Sequence, residues 1–487
     1  MTTLGIDLGT SGLRALLVSD DGTPLGSVER SFTVQRPHPG WSEQDPRQWV
    51  DALDDAVAEL SARYPAFADL TGIGVAGHMH GATLLDEAGS VLRPCILWND
   101  TRSAVQAARL DATPHVRDLS GNMVFPGFTA PKLAWVAEHE PDIFASVSMV
   151  LLPSGYMNFH LTGEAVADMS DSAGTSWLDV GARDWSDRLL DAGGMRRDQM
   201  PRLVEGSQQA GVLRSELARR WGVGEHVIVA GGAGDNAAAA CGIGALRDGQ
   251  GFVSLGTSGV LLMARDEYRP DAASAVHTFC HAVPDRWYQM GVILSATDSL
   301  NWLSRVTGAR PAELASALGE TLRAPGPELF VPYLSGERTP HNDAAARGVF
   351  TGLGAATGRE DMTRAVLEGV SFALRDCAEA LAGTGARAEW LFAIGGGAQS
   401  LYWLRLLATV LDTPLAVPAS GEFGAALGAA RLARLAVTGE APDDVIVPPE
   451  AGQLIEPDKA LRGAFDETYA RYRATYPAIR DIGSGYA

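Results

Sequence analysis

Apolar and polar positions at the start of the chain follow a strand pattern and then a helical one. Leu4-Gly5-Ile6-Asp7 runs into a Gly-rich turn, and residues 13–18 and 24–34, separated by Asp20-Asp21-Gly22, complete a predicted three-stranded meander. Asp45 is a candidate N-cap with Pro46 at the first helical position, and Trp49, Val50, Leu53, Val57 and Leu60 recur as one helical face. Ile73-Gly74-Val75-Ala76 reads as a buried strand. The second half repeats the plan: residues 251–254 and 260–264 form an opening hairpin, Met362, Val366, Val370 and Ala373 line a helix, and residues 391–394 form a strand ending in Gly395-Gly396-Gly397. The repeat predicts an α/β protein of two domains facing a cleft, residues 1–246 and 247–487, divided at the polar, turn-forming Arg247-Asp248-Gly249.

A chain of 487 residues, 46% of them hydrophobic, is long enough for two cores. Its net charge of −20 repels polyanions, which argues against nucleic acid or an anionic membrane as a partner. No apolar run reaches the roughly 18 residues that span a bilayer, and the start lacks a signal-like stretch, so a cytoplasmic protein is expected. Cys95, Cys241, Cys280 and Cys377 lie far apart and read as reduced core thiols. Only two lysines occur, Lys132 and Lys459, and neither belongs to a Gly-Lys-Ser/Thr loop or a Val-Ala-Ile-Lys strand. Phosphate binding of the Walker or protein-kinase type is excluded.

The sequence Leu-Gly-Thr-Ser-Gly occurs twice, at residues 8–12 and 255–259. Such a turn presents consecutive N–H groups and hydroxyls that cradle phosphate oxygens without lysine, although one copy alone is equally an ordinary hairpin turn. Asp7 precedes the first copy and Ser254 the second. A carboxylate at that point either holds a hydrated Mg²⁺ against the phosphates or accepts N–H bonds from its own turn. Arg14, seven residues on, either faces the turn and offsets phosphoryl charge or is a plain surface arginine. Asp235 follows the strand at residues 227–230 and a Gly-rich link, and opens an Ala-rich helix. It is a candidate general base and equally a candidate helix cap.

Gly5-Ile6-Asp7-Leu8-Gly9-Thr10-Ser11, Gly77-His78-Met79-His80-Gly81, Leu97-Trp98-Asn99-Asp100, Gly234-Asp235-Asn236-Ala237 and Gly395-Gly396-Gly397-Ala398 occur in the order found in FGGY-type carbohydrate kinases. Leu334-Ser335-Gly336-Glu337-Arg338-Thr339-Pro340 and Pro126-Gly127-Phe128-Thr129-Ala130-Pro131-Lys132 extend the likeness along nearly the whole chain, which most resembles the bacterial xylulose kinases of that family. The resemblance implies an actin-like (ribonuclease H-like) fold with ATP and Mg²⁺ between the domains and a sugar deeper in the cleft: D-xylulose, with another ketopentose such as ribulose, a deoxy-ketose or a polyol as the alternatives.

It further implies Asp235 as catalytic base and Asp7 as the metal-side acid. Sugar contacts would come from Met79, His80, Trp98, Asp100 and Asn236, with His80 donating to a sugar hydroxyl; Trp98 as simple core is the alternative. Nucleotide contacts would come from Gly9, Thr10, Ser11 and Arg14 on one side. Gly256, Thr257 and Ser258, with Gly396, Gly397, Ala398 and Ser400, would supply the other. His78 stands where many relatives carry Gln. The small-residue run at residues 424–430 is expected to pack closely against a sheet and carries no chemistry. A homodimer is possible through apolar helices of the second domain.

Overall fold

The computed structural model describes residues 1–419 and 424–483. The first half contributes β1 (Thr2–Leu8), β2 (Gly12–Ser19), β3 (Pro24–Ser31), α1 (Arg47–Arg63), β4 (Leu70–Gly77), α2 (Thr129–His139), β5 (Gln209–Val212), β6 (Ile228–Ala230), β7 (Ala233–Gly234) and α3 (Asp235–Ile243). The second contributes β8 (Gly251–Leu255), β9 (Gly259–Arg265), β10 (His277–Cys280), β11 (Trp287–Ile293), α4 (Thr297–Thr307), α5 (Arg359–Gly383), β12 (Leu391–Ile394), α6 (Leu401–Leu411), β13 (Leu415–Pro418), α7 (Gly424–Thr438), β14 (Ala451–Ile455) and α8 (Arg462–Gly483). Shorter elements connect them.

The first sheet runs β5-β6-β4-β1-β2-β3, with β7 also paired to β4, and the second runs β10-β11-β9-β8-β12-β13-β14. In each, a hairpin (β1–β2, β8–β9) carries one copy of the repeated turn, and a parallel strand (β4, β12) flanks its first arm. The predicted meander and strands are therefore present. The helix start differs by one residue. Pro46 occupies the cap of α1, and Asp45 lies outside it, accepting the Arg47 N–H at 3.0 Å. A proline before the first turn gives up no helical hydrogen bond, and the acid one place earlier satisfies an otherwise orphan donor.

β1 is buried almost throughout because both of its faces are covered. Trp49, Leu53, Val57 and Leu60 of α1 belong to the core on one side, with Leu4, Ile6 and Ile73. The other side is closed by α7, from the second half of the chain, whose Ala426 and Ala430 pack with Leu16 and Val18. The contact is backbone to backbone. A Cβ on Gly5 would lie 1.9 Å from the Ala426 carbonyl oxygen, one on Gly74 would lie 2.0 Å from that of Ala429, and one on Gly428 would lie 1.7 Å from that of Ala238 in α3. The small-residue run thus packs on a sheet as expected, and the sheet is that of the opposite half. All four cysteines are buried and unbonded.

Candidate active site

Asp7 stands next to the end of β1. Its neighbour on β4, Ala76, also pairs with Ala233 of β7, directly before Asp235. Asp7 and Asp235 are thereby brought together at the carboxyl ends of nearby parallel strands, the place where open α/β sheets bind ligands. Burial pushes the Asp235 carboxyl up to about 7; hydrogen bonds from Asn236 oppose that rise and the Asp7 charge adds to it. Burial likewise pushes Asp7 up to about 6, with Arg14 pulling the other way. Two acids raised toward neutrality in one cleft are the pattern of a working site.

Asp235 is the first residue of α3, after Gly234, and its side chain accepts a first-turn N–H, so helix capping and a catalytic role coexist. Its Oδ1 accepts the Asn236 N–H at 2.7 Å and Nδ2 at 2.9 Å. Asn236 thus orients the carboxylate, and Oδ2 accepts no hydrogen bond among the described residues.

The first Gly-Thr-Ser-Gly turn is tied down by its carbonyls. Gln44 Nε2 donates to the Thr10 carbonyl at 2.6 Å and the Phe32 N–H to that of Ser11 at 3.1 Å. The N–H groups of Thr10 and Ser11 have no partner among the described residues, as a phosphate cradle requires. Gly9 starts the turn, its N–H donating to the Gly12 carbonyl at 2.9 Å. Arg14 lies opposite Asp7 across the hairpin and is paired with Glu29 of β3 at 2.6 Å.

The second turn is tied in the same way. Thr297, at the start of α4, donates its N–H and hydroxyl to the Gly256 carbonyl at 2.9 and 2.8 Å, and the Ala296 N–H donates to that of Thr257 at 2.8 Å. The N–H groups of Thr257 and Ser258 are again unpartnered among the described residues. Gly395, at φ +86°, lies against this turn: a Cβ there would meet the Leu255 carbonyl carbon at 2.9 Å. Beyond it, Gly396, Gly397 and Ser400 line a cavity of about 740 Å³ with Thr297, Asn301 and Gln399. Ala398 is buried and absent from that lining, and the Ser400 hydroxyl caps α6 by accepting the Trp403 N–H at 3.3 Å.

On the sugar side, Met79 packs against Gly234 and accepts the Tyr288 hydroxyl at its sulfur, 3.6 Å away. His80 has a left-handed backbone, φ 69°, and stacks on Phe128 at 4.6 Å. Burial holds its ring neutral, and Nδ1 lies 2.8 Å from the Gly174 carbonyl. A carbonyl only accepts, so the single ring proton sits on Nδ1 and Nε2 is an acceptor. This reverses the donor role expected for His80.

One other expectation changes. Asp100 is fully engaged: the Ser42 N–H and the Arg102 N–H, Nε and Nη2 supply four donors at 2.6–2.9 Å, filling its lone pairs. It braces Arg102, which lies 3.6 Å over the Trp41 ring, and has no capacity left for a sugar. Trp98 is half-buried and donates Nε1–H to the Thr10 hydroxyl at 2.9 Å, joining the pocket wall to the first turn. His78 is fully buried and edge-on to Trp49 at 5.5 Å.

The family models for the N-terminal and C-terminal domains of the FGGY family of carbohydrate kinases match residues 2–242 and 251–437. The chain belongs to this family. It is 48% identical over 440 residues to the xylulose kinase of Escherichia coli K12, covering 90% of both chains. A crystal structure of a xyloylose kinase from Brucella ovis superimposes with a TM-score of 0.97 at 56% identity, covering 99% of this chain and 100% of that one. The xylulose kinase of Rhodospirillum rubrum gives 0.90 at 29%, covering 99% and 100%.

This FGGY kinase also contains residues to which no role was assigned from its sequence. Tyr288 fixes Met79, Gln44 holds the first turn, and Thr297 holds the second. Lys132 is completely buried, donating Nζ–H to the carbonyls of His80 at 2.6 Å and Gly127 at 2.7 Å. In a chain that otherwise uses arginine, a lysine inside a family motif was a signal. A compact ammonium fits between two carbonyls where a planar guanidinium does not.

Proposed function

We propose that the chain transfers the γ-phosphoryl group of ATP to the terminal hydroxyl of D-xylulose, giving ADP and D-xylulose 5-phosphate. The observation that carries the reading is Asp235, with one oxygen held by Asn236, the other open, and a carboxyl raised to about 7 beside Asp7. Relatives named xylulose kinase that align over nine-tenths of the chain support the sugar. Asp235 accepts the proton of the C5 hydroxyl as that oxygen attacks the γ-phosphorus in line with the departing ADP. Met79 packs on the sugar carbons and His80 Nε2 accepts from one of its hydroxyls.

The two cradles hold phosphate from opposite sides through N–H groups, and the cavity beside Gly396 and Gly397 receives the base and ribose. We further read residues 1–246 and 247–487 as the two lobes, with the helix at residues 424–438 crossing over to cover the first, and the cytoplasm, which keeps thiols reduced, as the location. Asp7 fits a hydrated Mg²⁺: it is a buried acid beside the turn, and the nearby Arg14 is engaged by Glu29. Among the described residues no cluster of three or more His, Cys, Asp or Glu could hold a metal, which suits an ion liganded chiefly by phosphate and water. When bound, Mg²⁺ offsets charge on the β- and γ-phosphates.

A coupled assay of ADP release over ketopentoses and polyols, with and without Mg²⁺, tests the reading. D-xylulose should give the highest kcat/KM, and omission of Mg²⁺ should abolish turnover. ATP hydrolysis that proceeds equally without sugar would refute the proposal.

A further inference from the structure

Arg338 belongs to a sequence motif to which the proposed reaction gives no task. Its backbone is clamped to the end of β11: the Thr339 N–H donates to the Val292 carbonyl at 3.0 Å, and the Val292 N–H donates back to the Thr339 hydroxyl at 3.1 Å. Glu337 Oε1 accepts the N–H groups of Leu294 and Arg338 at 3.1 and 2.7 Å. The side chain held by this rigid segment has neither an ion pair nor a hydrogen bond among the described residues; its recorded contact is with the Phe125 ring, 5.0 Å from Cζ. The guanidinium is half-buried, so its five donors still reach solvent and are available to a ligand that brings an acceptor.

Its surroundings locate that ligand. Phe125 packs on Phe128 at 5.5 Å and on His277 at 5.0 Å, and Phe128 stacks on His80. His277, on edge strand β10, is fully buried with both ring nitrogens unpartnered among the described residues. The Arg338 charge acts on His80 and His277, whereas Asp235 responds to Asp7 and Asn236. Through Phe125 and Phe128, Arg338 is linked to the His80 side of the proposed sugar site.

We propose that Arg338 is a specificity-determining residue that recognises the carbonyl end of an open-chain 2-ketose, donating to the C2 oxygen while the C5 hydroxyl faces Asp235. The inference rests on the ketopentose reading above. Closing the sugar into a ring through its C5 oxygen would consume the hydroxyl that is phosphorylated, so the reactive form is open and presents a free ketone. A ketone only accepts, which suits a guanidinium; an alcohol at C2 brings a proton of its own that the site does not need. Because Arg338 comes from the second half and Met79 and His80 from the first, the sugar bridges both halves.

The test compares kcat/KM for D-xylulose with that for xylitol and D-arabitol, the two alcohols formed by reducing its C2 carbonyl. Wild type should prefer the ketose at least about 10-fold, and Arg338→Gln should lower kcat/KM for the ketose roughly 10- to 100-fold, mostly through KM. The alcohols should change less than about 3-fold and KM for ATP should hold, because only the ketone exploits the charged donor. Arg338→Lys should fall between. Equal losses on ketose and alcohols, or no loss, overturn the proposal. Should Arg338→Gln fail to fold, Arg338→Lys and the wild-type ratio decide, and a ratio below about 10 overturns it. Absence of ketose turnover in wild type would sink the parent reading as well; turnover with an unchanged preference in the variants sinks this inference alone.

Discussion

Replacing Asp235 by Asn should destroy activity and stabilise the fold, and the second effect should depend on pH in a defined direction. The carboxyl rises from 3.8 to about 7 because burial penalises its charge and Asp7 repels it. Below pH 4 it is protonated in folded and unfolded chains alike, so the acid costs nothing relative to the amide. Between about 4 and 7 the unfolded chain ionises and the folded one does not, so wild type loses stability as pH rises; above 7 the loss is complete. Some three units at 1.36 kcal/mol each set a ceiling of roughly 4 kcal/mol, and water reaching the cleft reduces the expected gain of Asp235→Asn to about 1–3 kcal/mol. The amide keeps a carbonyl oxygen for the two Asn236 donors, so no new unsatisfied group offsets the gain.

Urea denaturation of both proteins at pH 4.5, 6 and 8, followed by circular dichroism, measures the difference. A variant that is no more stable than wild type at pH 8, or one whose advantage is the same at all three pH values, would refute the electrostatic account of the site. The same carboxyl predicts that wild-type kcat/KM climbs with pH through about 7.

Gly428→Ala places a methyl 1.7 Å from the Ala238 carbonyl oxygen, and the overpacking should outweigh the roughly 1 kcal/mol gain in helix propensity, leaving a net loss of about 2 kcal/mol or more by thermal melting. Lys132→Met removes the donor between the His80 and Gly127 carbonyls and should raise KM for the sugar about 10-fold while KM for ATP holds; equal shifts in both would point to general unfolding. Gly396→Leu adds bulk where a Cβ meets nothing among the described residues within 4 Å, so the melting temperature should hold while KM for ATP rises about 10-fold as the cavity fills. A stable variant with unchanged KM for ATP would move the base elsewhere.

Local chemistry was legible in the chain. The repeated turn, the strand before each copy, and Asp235 after a Gly-rich link all follow from short-range backbone preference. What escaped depends on partners distant in sequence. The tautomer of His80 is set by the carbonyl of Gly174, 94 residues on, and no spacing reveals it. Asp100 looked like a pocket acid, but its lone pairs go to Arg102 two residues away and to Ser42, a choice made by folding rather than by residue type. The cavity proposed for the base and ribose joins Thr297 and Asn301 to the triple-glycine turn about a hundred residues later, and each alone is an ordinary helix residue.

The helix at residues 424–438 has a consequence for synthesis. It is made last among the elements that cover the first sheet, so the outer face of β1 and β4 waits bare while most of the chain emerges. Strands that could nucleate early stay open to proteases and chaperones until then. A nascent chain arrested before residue 424 should be cleaved readily within residues 2–77, and one extended well past residue 438 should resist. Equal protection in both would mean that the first sheet closes without its distant cover.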